Sequence, residues 1–171
     1  GDINTDAMAG ATISTNAALS AINIARQYYF VELAGGTLNY PLSDEVLQQL
    51  FPNASSWETL SVAAPNVAGA WRGDDGTYVI IGQGSGMGSK PVTVAVAMDA
   101  NGVILGIWCD TSGETEGLGD VVGQDNSFLS EFVNQNNTDG IDTVGGTTVT
   151  KDAIVDAVNA ALAALPLAKE A

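Results

Sequence analysis

Apolar residues recur every three or four positions at both ends of the chain, which is the periodicity of a helix with one buried face. The recurring residues are Ala18, Ile22, Ala25 and Tyr29 near the N-terminus, and Ile154, Val158, Ala161, Leu162 and Leu165 near the C-terminus. We expect the first helix to end before Gly35 and Gly36. The last helix is expected to run from about Lys151 to Pro166, where proline interrupts helical hydrogen bonding.

The middle of the chain shows the period of two that is typical of β-strands. Residues 78–81 are rich in β-branched side chains, and the valines of residues 92–96 alternate with smaller residues, which predicts a strand with one core face. Residues 99–102 predict a turn, after which residues 103–109 return as a partner strand. Two shorter helices are predicted at residues 43–50, capped by Ser43, and at residues 127–134. The predicted fold class is α+β, with a twisted, mostly antiparallel sheet flanked by helices.

Composition restricts the classes of partner. The chain has 171 residues, of which 46% are apolar, and this is enough for one ordinary domain with a hydrophobic core. Its 20 acidic residues outnumber 5 basic residues and give a net charge of −15. Such a charge repels phosphate backbones and anionic lipids, so we predict no nucleic-acid partner. No apolar run in the sequence is long enough to span a membrane.

Histidine and cysteine, which often bind metals or act in catalysis, are absent or rare in this sequence. The sequence has no histidine and one cysteine, Cys109. This excludes an imidazole base, a Ser-His-Asp site, an internal disulfide and a cysteine-ligated cluster, and we predict no metal site. Cys109 ends the apolar run 103–109, which predicts a buried structural thiol. Redox chemistry would therefore need a bound organic cofactor.

A seven-residue motif occurs near each end of the chain. Residues 6–12 read Asp-Ala-Met-Ala-Gly-Ala-Thr, and residues 142–148 read Asp-Thr-Val-Gly-Gly-Thr-Thr. Both copies keep the aspartate, the fifth-position glycine and the final threonine, and both lead into an alanine-rich helix. A repeat of such long period indicates two related units.

The second copy of the motif has two physical interpretations. Thr148 lies just before Thr150, the expected N-cap, and Gly145 and Gly146 allow a ligand close to the backbone. Free amides at a helix N-terminus attract phosphate, and Lys151 would add positive charge. Alternatively, the motif is only a helix-capping turn, because Ser, Thr and Asp commonly precede helices.

A polar, glycine-rich segment lies between the predicted sheet and the second motif. Residues 111–120 read Thr-Ser-Gly-Glu-Thr-Glu-Gly-Leu-Gly-Asp. Long irregular segments inside a compact domain are often functional. Residues 82–88 are also rich in glycine, but they lack the strand–helix context and the lysine of a phosphate-binding loop, so we interpret them as a hairpin loop.

In this order and spacing the motifs resemble those of the covalent FMN-binding domain family. The family includes flavin-carrying components of Rnf-type complexes and of sodium-translocating NADH:quinone oxidoreductase, as well as tandem extracytoplasmic flavoproteins. Its motif is Asp, two variable residues, Ser or Thr, Gly, Ala and the threonine that receives FMN. Residues 6–12 differ at Ala9, and residues 142–148 differ at Gly145 and Thr147. The family's Glu-Thr-Pro-Gly-Leu-Gly loop resembles residues 114–119, where Glu116 replaces proline.

The resemblance implies a cofactor, its attachment and its neighbours. An FMN transferase would join FMN by a phosphodiester to Thr148, with Thr12 as a second attachment site. Glu114 and Thr115 would make polar contacts with the isoalloxazine, and Leu118 would pack on it. The other residues expected at the site are Asp142, Gly145, Gly146, Thr147, Lys151, Gly117 and Gly119. The implied function is electron transfer by a carrier rather than by a free-standing enzyme, because the sequence shows no base and nucleophile pair.

The resemblance also divides the chain. It covers about residues 39–165, so we expect residues 42–171 to form a complete FMN-binding domain and residues 35–41 to be a linker. Residues 1–34 resemble the closing turn and helix of a preceding repeat, which suggests a piece of a longer bacterial, extracytoplasmic array. Its partners would be redox proteins or neighbouring flavin domains, including a head-to-tail assembly. The competing hypothesis is a non-redox secreted or surface binding module in which the threonine motifs are only helix caps.

Overall fold

An antiparallel sheet of five strands forms the centre of the structure, a computed structural model that describes residues 42–171. The strands are β1 (Trp57–Leu60), β2 (Val67–Gly73), β3 (Tyr78–Gly84), β4 (Val92–Met98) and β5 (Ile104–Asp110). They pair in chain order, so each strand lies beside its neighbours in sequence. The predictions for Thr12 and for segments 1–34 and 35–41 lie outside the described residues.

Helices cover both faces of this sheet. They are α1 (Asp44–Leu50), a 3₁₀ helix (Val122–Gln124), α2 (Asn126–Ser130) and α3 (Thr148–Glu170). On one face, α3 and α2 pack against a cluster that includes Ile80 and Val94. On the other face, α1 packs through Leu47 near the buried rings of Trp71 and Trp108. The predicted α+β fold with flanking helices is confirmed.

The two short helices begin at side-chain caps, and one of them ends earlier than predicted. Ser43 precedes α1 and accepts a hydrogen bond from the Val46 amide at 3.4 Å, as the sequence predicts. Asp125 caps α2, but that helix ends at Ser130 rather than Asn134. The chain leaves the helical path because the Asn134 amide donates to the Ile104 carbonyl at 2.8 Å, which joins this segment to β5.

The sheet differs from the predicted one in two respects. Strand β4 is buried along its whole length, whereas one core face was predicted. Its valines face α3, while Ala95 and Ala97 face the α1 side, where their small size leaves room for tryptophan rings. Strands β1 and β2 were not predicted, because β1 is short and mostly polar and β2 contains glycine and arginine without regular alternation.

Helix α3 is longer than the sequence predicts at both ends. It begins at Thr148, before the expected start near Lys151, and continues through Pro166 to Glu170. Ala168 is fully buried beyond the proline, so packing against the sheet holds the last turns in place. Within residues 42–171, no helix is long and apolar enough to cross a membrane.

Candidate functional site

Thr148 is the first residue of α3, and its hydroxyl is engaged with the turn that precedes the helix. Thr148 Oγ1 donates to the Gly145 carbonyl at 2.6 Å and accepts from the Gly145 amide at 3.1 Å. Thr147 occupies the N-cap position without a side-chain capping bond. The prediction that Thr150 is the N-cap is therefore wrong, because the Thr150 hydroxyl bonds elsewhere and α3 starts two residues earlier.

The turn before α3 is held by Asp142 and leaves open space beside its glycines. Asp142 Oδ1 accepts a hydrogen bond from the Val144 amide at 2.9 Å, and the Asp142 amide donates to Glu131 Oε2 at 3.3 Å. Gly145 has φ of 142°, a conformation that side chains disfavour. Within residues 42–171, and apart from the adjacent residues of the chain, no atom lies within 4 Å of the position a Cβ would take on Gly145 or Gly146. The backbone is thus open to a ligand here.

The first turn of α3, next to these glycines, contains unpaired backbone donors. Among the described residues, the amides of Val149 and Thr150 have no hydrogen-bond acceptor, whereas the Lys151 amide donates to the Thr147 carbonyl at 3.0 Å. Free amides and the positive end of the helix dipole together favour an anion. The Lys151 ammonium lies 4.8 Å from the centroid of the Phe128 ring, where it makes a cation–π contact.

Glu114 lies at the meeting point of three segments. Its side chain is 9% exposed, and Oε2 accepts from Thr150 Oγ1 at 2.7 Å across 36 residues of sequence. The Met87 amide donates to Oε2 at 3.2 Å, and the Gly88 amide donates to Oε1 at 2.8 Å. One carboxylate therefore brings together three segments: residues 86–88, the loop after Glu114 and the first turn of α3.

The loop that follows Glu114 is a tight turn next to α3. The Thr115 carbonyl accepts from the amides of Leu118 and Gly119 at 3.1 and 3.0 Å. Gly117 has φ of 74°, which glycine adopts without strain. Thr115 and Leu118 are exposed, with Leu118 at 57%, whereas Gly119 packs against Glu114 and Thr150.

The structure thus brings together two predicted groups of residues that are far apart in sequence. Residues 114–119 contact the start of α3 through Glu114 and Gly119, and residues 142–148 form the turn before that helix. Lys151 lies on the same helix but points to Phe128. Thr12 lies outside the described residues.

Sequence reasoning missed the contribution of residues 82–88. Their first three residues belong to β3, where Gly82 and Gly84 lie against the α3 backbone at Ala157 and Ala153. A Cβ on either glycine would overlap the carbonyl oxygen opposite. The available signal was a pair of glycines two residues apart in a strand and a pair of alanines four apart in a helix, which places each pair on one face.

The single thiol lies apart from this chemistry. Cys109 is 5% exposed within the core, as predicted, and burial raises the pKa of its thiol far above the ordinary range, with the charge of Asp110 adding to the effect. A thiol in this state is neither a ready nucleophile nor a ready redox group. In the described part of the chain, no three acidic or cysteine side chains are grouped to hold a metal ion.

A groove of about 590 Å³ runs beside α3, away from Thr148. It lies between the helix and the β1–β2 connection and is lined by Pro65, Gln83 and Ala160 among others. None of the predicted site residues within 42–171 lines it. The hydrogen bonds around Glu114 and Thr148, rather than this groove, therefore define the candidate site.

One comparison with known proteins covers this part of the chain. Residues 86–163 match the model of a family described as FMN-binding domain. The match begins at the loop that binds Glu114 and extends well into α3, so it includes all the predicted site residues that the structure describes. No curated protein matches the chain. Residues 86–163 of this chain are therefore similar to the FMN-binding domain family.

Proposed function

We propose that the chain is an electron-carrying flavin module in which FMN is joined to Thr148 Oγ1 through a phosphodiester. The observation that carries this proposal is the position of the Thr148 hydroxyl. It lies at the first residue of a helix, next to two glycines with open space beside them among the described residues, within a segment that matches an FMN-binding family.

The attachment segment suits a phosphate ester. The free amides of Val149 and Thr150 and the helix dipole favour negative charge next to Thr148. Ester formation replaces the hydroxyl proton, so the bond from Thr148 to the Gly145 carbonyl is lost, while the Gly145 amide can still donate to Oγ1. Relative to free FMN, the O–P bond forms with release of one water, and no electrons are exchanged.

The remaining loops suit the flavin ring. When bound, FMN supplies one- or two-electron redox chemistry. Leu118 and Met87 are 57% and 75% exposed on the loops beside α3, and we propose that Leu118 packs on the ring while Thr115 makes polar contacts with it. The excess of acidic over basic residues disfavours added negative charge at the site, which lowers the reduction potential.

Covalent attachment bears on the cellular location of the module and on its redox partners. We propose an extracytoplasmic location, since a non-covalently bound cofactor would be lost there by dilution. We also propose that an FMN transferase attaches the cofactor. Electrons would pass to redox proteins or to neighbouring flavin domains, with Thr12 as the attachment residue of a preceding repeat.

A non-redox module remains the competing function, because the bonds of Asp142 and Thr148 also satisfy a capping turn. The test is co-expression with an FMN transferase, followed by in-gel fluorescence and intact mass. All variants carry Thr12→Ala, so that any label belongs to residues 42–171. We expect the parent to gain the mass of FMN less one water, Thr148→Ala to gain nothing, and the adjacent control Thr147→Ala to remain labelled.

Two results would contradict the proposal in different ways. A parent chain that stays colourless and gains no mass, in both the Thr12→Ala and the unaltered form, would favour the capping function. Label that persists in Thr148→Ala would show that the attachment residue is another one. Circular dichroism of each variant checks that the protein is folded, so that a loss of label is not caused by unfolding.

A further inference from the structure

The carboxylate of Glu114 is buried and accepts hydrogen bonds from other segments of the protein. Three protein donors approach it: the Thr150 hydroxyl at 2.7 Å, the Gly88 amide at 2.8 Å and the Met87 amide at 3.2 Å. An ionised carboxylate accepts such bonds through both oxygens, and bonds to a charged acceptor are stronger than neutral ones. Hydrogen bonds to residues 87, 88 and 150 thus hold the Glu114 side chain in place.

Glycines enclose this carboxylate on two sides. A Cβ on Gly86 would overlap Glu114 Oε1, and a Cβ on Gly119 would lie 2.6 Å from Thr150 Oγ1 and 2.8 Å from Glu114 Cβ. A Cβ on Gly88 would overlap the Gly113 carbonyl oxygen. Only glycine allows the loops to approach this closely, so the local sequence is adapted to the buried carboxylate.

The bond to Thr150 links this cluster to the attachment residue. Thr150 lies two residues after Thr148 in the first turn of α3, so fixing its side chain fixes the rotation of that turn. At the other end of the same carboxylate, the bonds to Met87 and Gly88 hold the neighbouring loop. Glu114 also precedes the turn that carries Leu118.

We propose that Glu114, acting through Thr150, is the positioning residue of the flavin site. It holds the first turn of α3 and the loops 86–88 and 115–119 in their bound arrangement before FMN is attached. This inference rests on the proposed function and deepens it. In this role the Glu114 carboxylate bonds to the protein, whereas the resemblance predicted a polar contact between Glu114 and the isoalloxazine.

The test compares two substitutions of Thr150 that differ in the hydroxyl. Thr150→Val keeps the shape and removes the donor to Glu114, whereas Thr150→Ser keeps the donor. Thr138→Val is the matched control, because the Thr138 hydroxyl also bonds to α3, at Asn159, remote from the site. Each chain is loaded by an FMN transferase, and the rate of covalent incorporation and the fluorescence anisotropy of the attached flavin are measured.

We expect Thr150→Val to load about tenfold more slowly, because a buried carboxylate loses a donor. Its attached flavin should show lower anisotropy, while Thr150→Ser and Thr138→Val should match the parent. In the unloaded chains, hydrogen exchange at residues 86–88 and 115–119 should be faster in Thr150→Val, with the exchange of β4 unchanged. Loading rate and anisotropy report on the site, so a uniform loss of stability would not reproduce this pattern.

Glu114→Gln provides a second variant if Thr150→Val does not fold. Its oxygen can accept from the Gly88 amide and its amide can donate to Thr150, so it loses only the Met87 bond and should load at an intermediate rate. Thr150→Val or Glu114→Gln with the loading rate and anisotropy of the parent would overturn the positioning role alone. A parent chain that takes up no FMN would overturn the proposed function, and this inference with it.

Discussion

Aspartates in the loops have a structural role that their negative charge alone does not reveal. Several of them accept a hydrogen bond from a backbone amide two residues later, the geometry that lets aspartate stabilise a turn. The residues are Asp75, Asp99, Asp110, Asp125 and Asp142. Acidic residues commonly form a solvated surface, and at these positions the carboxylate also fixes the local backbone.

Asp99 offers a test of this role through pH. Burial raises its pKa, but hydrogen bonds from the backbone amides of Val103 and Asn101 outweigh that effect, and the net pKa is lowered. A lowered pKa in the folded state stabilises the fold above the unfolded pKa, and this stabilisation is lost as pH falls through the folded pKa. We expect Asp99→Ala to cost about 1 kcal/mol at neutral pH.

The measurement is urea unfolding of the parent and Asp99→Ala at several pH values. The difference in free energy of unfolding should shrink as pH falls through the acidic range in which aspartate titrates. Asp139→Ala, at an exposed acid, controls for the removal of charge. A difference that stays constant with pH would show that the Asp99 carboxylate does not contribute through its ionised form.

At the scale of elements, the contact between β3 and α3 determines where the candidate site lies. Gly82 and Gly84 let the helix backbone approach the strand at Ala157 and Ala153. This contact lies close to the first turn of α3, so the position of Thr148 depends on it. The two glycines therefore act on the site through the placement of a whole helix.

Gly84→Ala should disrupt this contact. A Cβ at residue 84 would overlap the Ala153 carbonyl, which belongs to helix backbone and cannot rotate away. We expect a loss of about 1–3 kcal/mol of stability, together with slower FMN loading as α3 moves. Chemical denaturation and intact mass measure the two effects.

Gly106→Ala is the matched control for this prediction. Gly106 also lies in a strand, β5, but apart from its chain neighbours no atom of the described residues lies within 4 Å of the position of its Cβ. Its stability and loading should stay close to those of the parent. Equal effects of the two substitutions would argue against a specific role for the close approach of α3.

Pro166 shows how packing overrides a local signal in the same helix. A proline inside a helix removes one hydrogen bond and clashes with the carbonyl four residues earlier. Even so, α3 continues to Glu170, because Leu165 and Ala168 are buried on either side of the proline and Lys169 Nζ donates to the Ala100 carbonyl at 3.2 Å.

Pro166→Ala should therefore stabilise the protein. The proline is exposed, so its replacement loses little packing and restores a donor to the Leu162 carbonyl. We expect a gain of up to about 3 kcal/mol in the free energy of unfolding, measured by guanidinium denaturation. A variant less stable than the parent would mean that the proline ring makes contacts that outweigh the missing hydrogen bond.

For the molecule as a whole, repulsion between like charges opposes folding. The chain carries 20 acidic and 5 basic residues, and the ion pair between Arg72 and Glu58 is the only one between residues that the structure describes. Two exposed acids, Asp152 and Asp156, lie one turn apart on α3, where like charges repel. Helices on both faces of the sheet supply the apolar burial that offsets this repulsion.

Salt should accordingly stabilise the protein. Raising sodium chloride from about 0.01 M to about 0.5 M shortens the screening length several-fold, and we expect Tm to rise. Asp156→Lys should raise Tm at low salt and reduce its dependence on salt, because it creates a favourable pair with Asp152. A Tm that is unchanged or lower at high salt would show that charge repulsion is not a significant cost.

The sequence alone determined those features whose physical cause is local. Ser43 caps α1, residues 99–102 form the predicted turn, and strands β3 to β5 follow runs of β-branched residues. The threonine motif and residues 114–119 also predicted a candidate site from the sequence, because both match a family pattern over a few consecutive residues.

Only the tertiary structure decided the features that depend on contacts between distant segments. Strand β2 exists because its neighbours pair with it and because Gly69 leaves room for the buried Trp71 ring. The start of α3 at Thr148 and the bond between Thr150 and Glu114, 36 residues away, follow from packing against β3 and the loops. Capping and turn signals act over a few residues, whereas burial and close approach are defined only once the chain has folded.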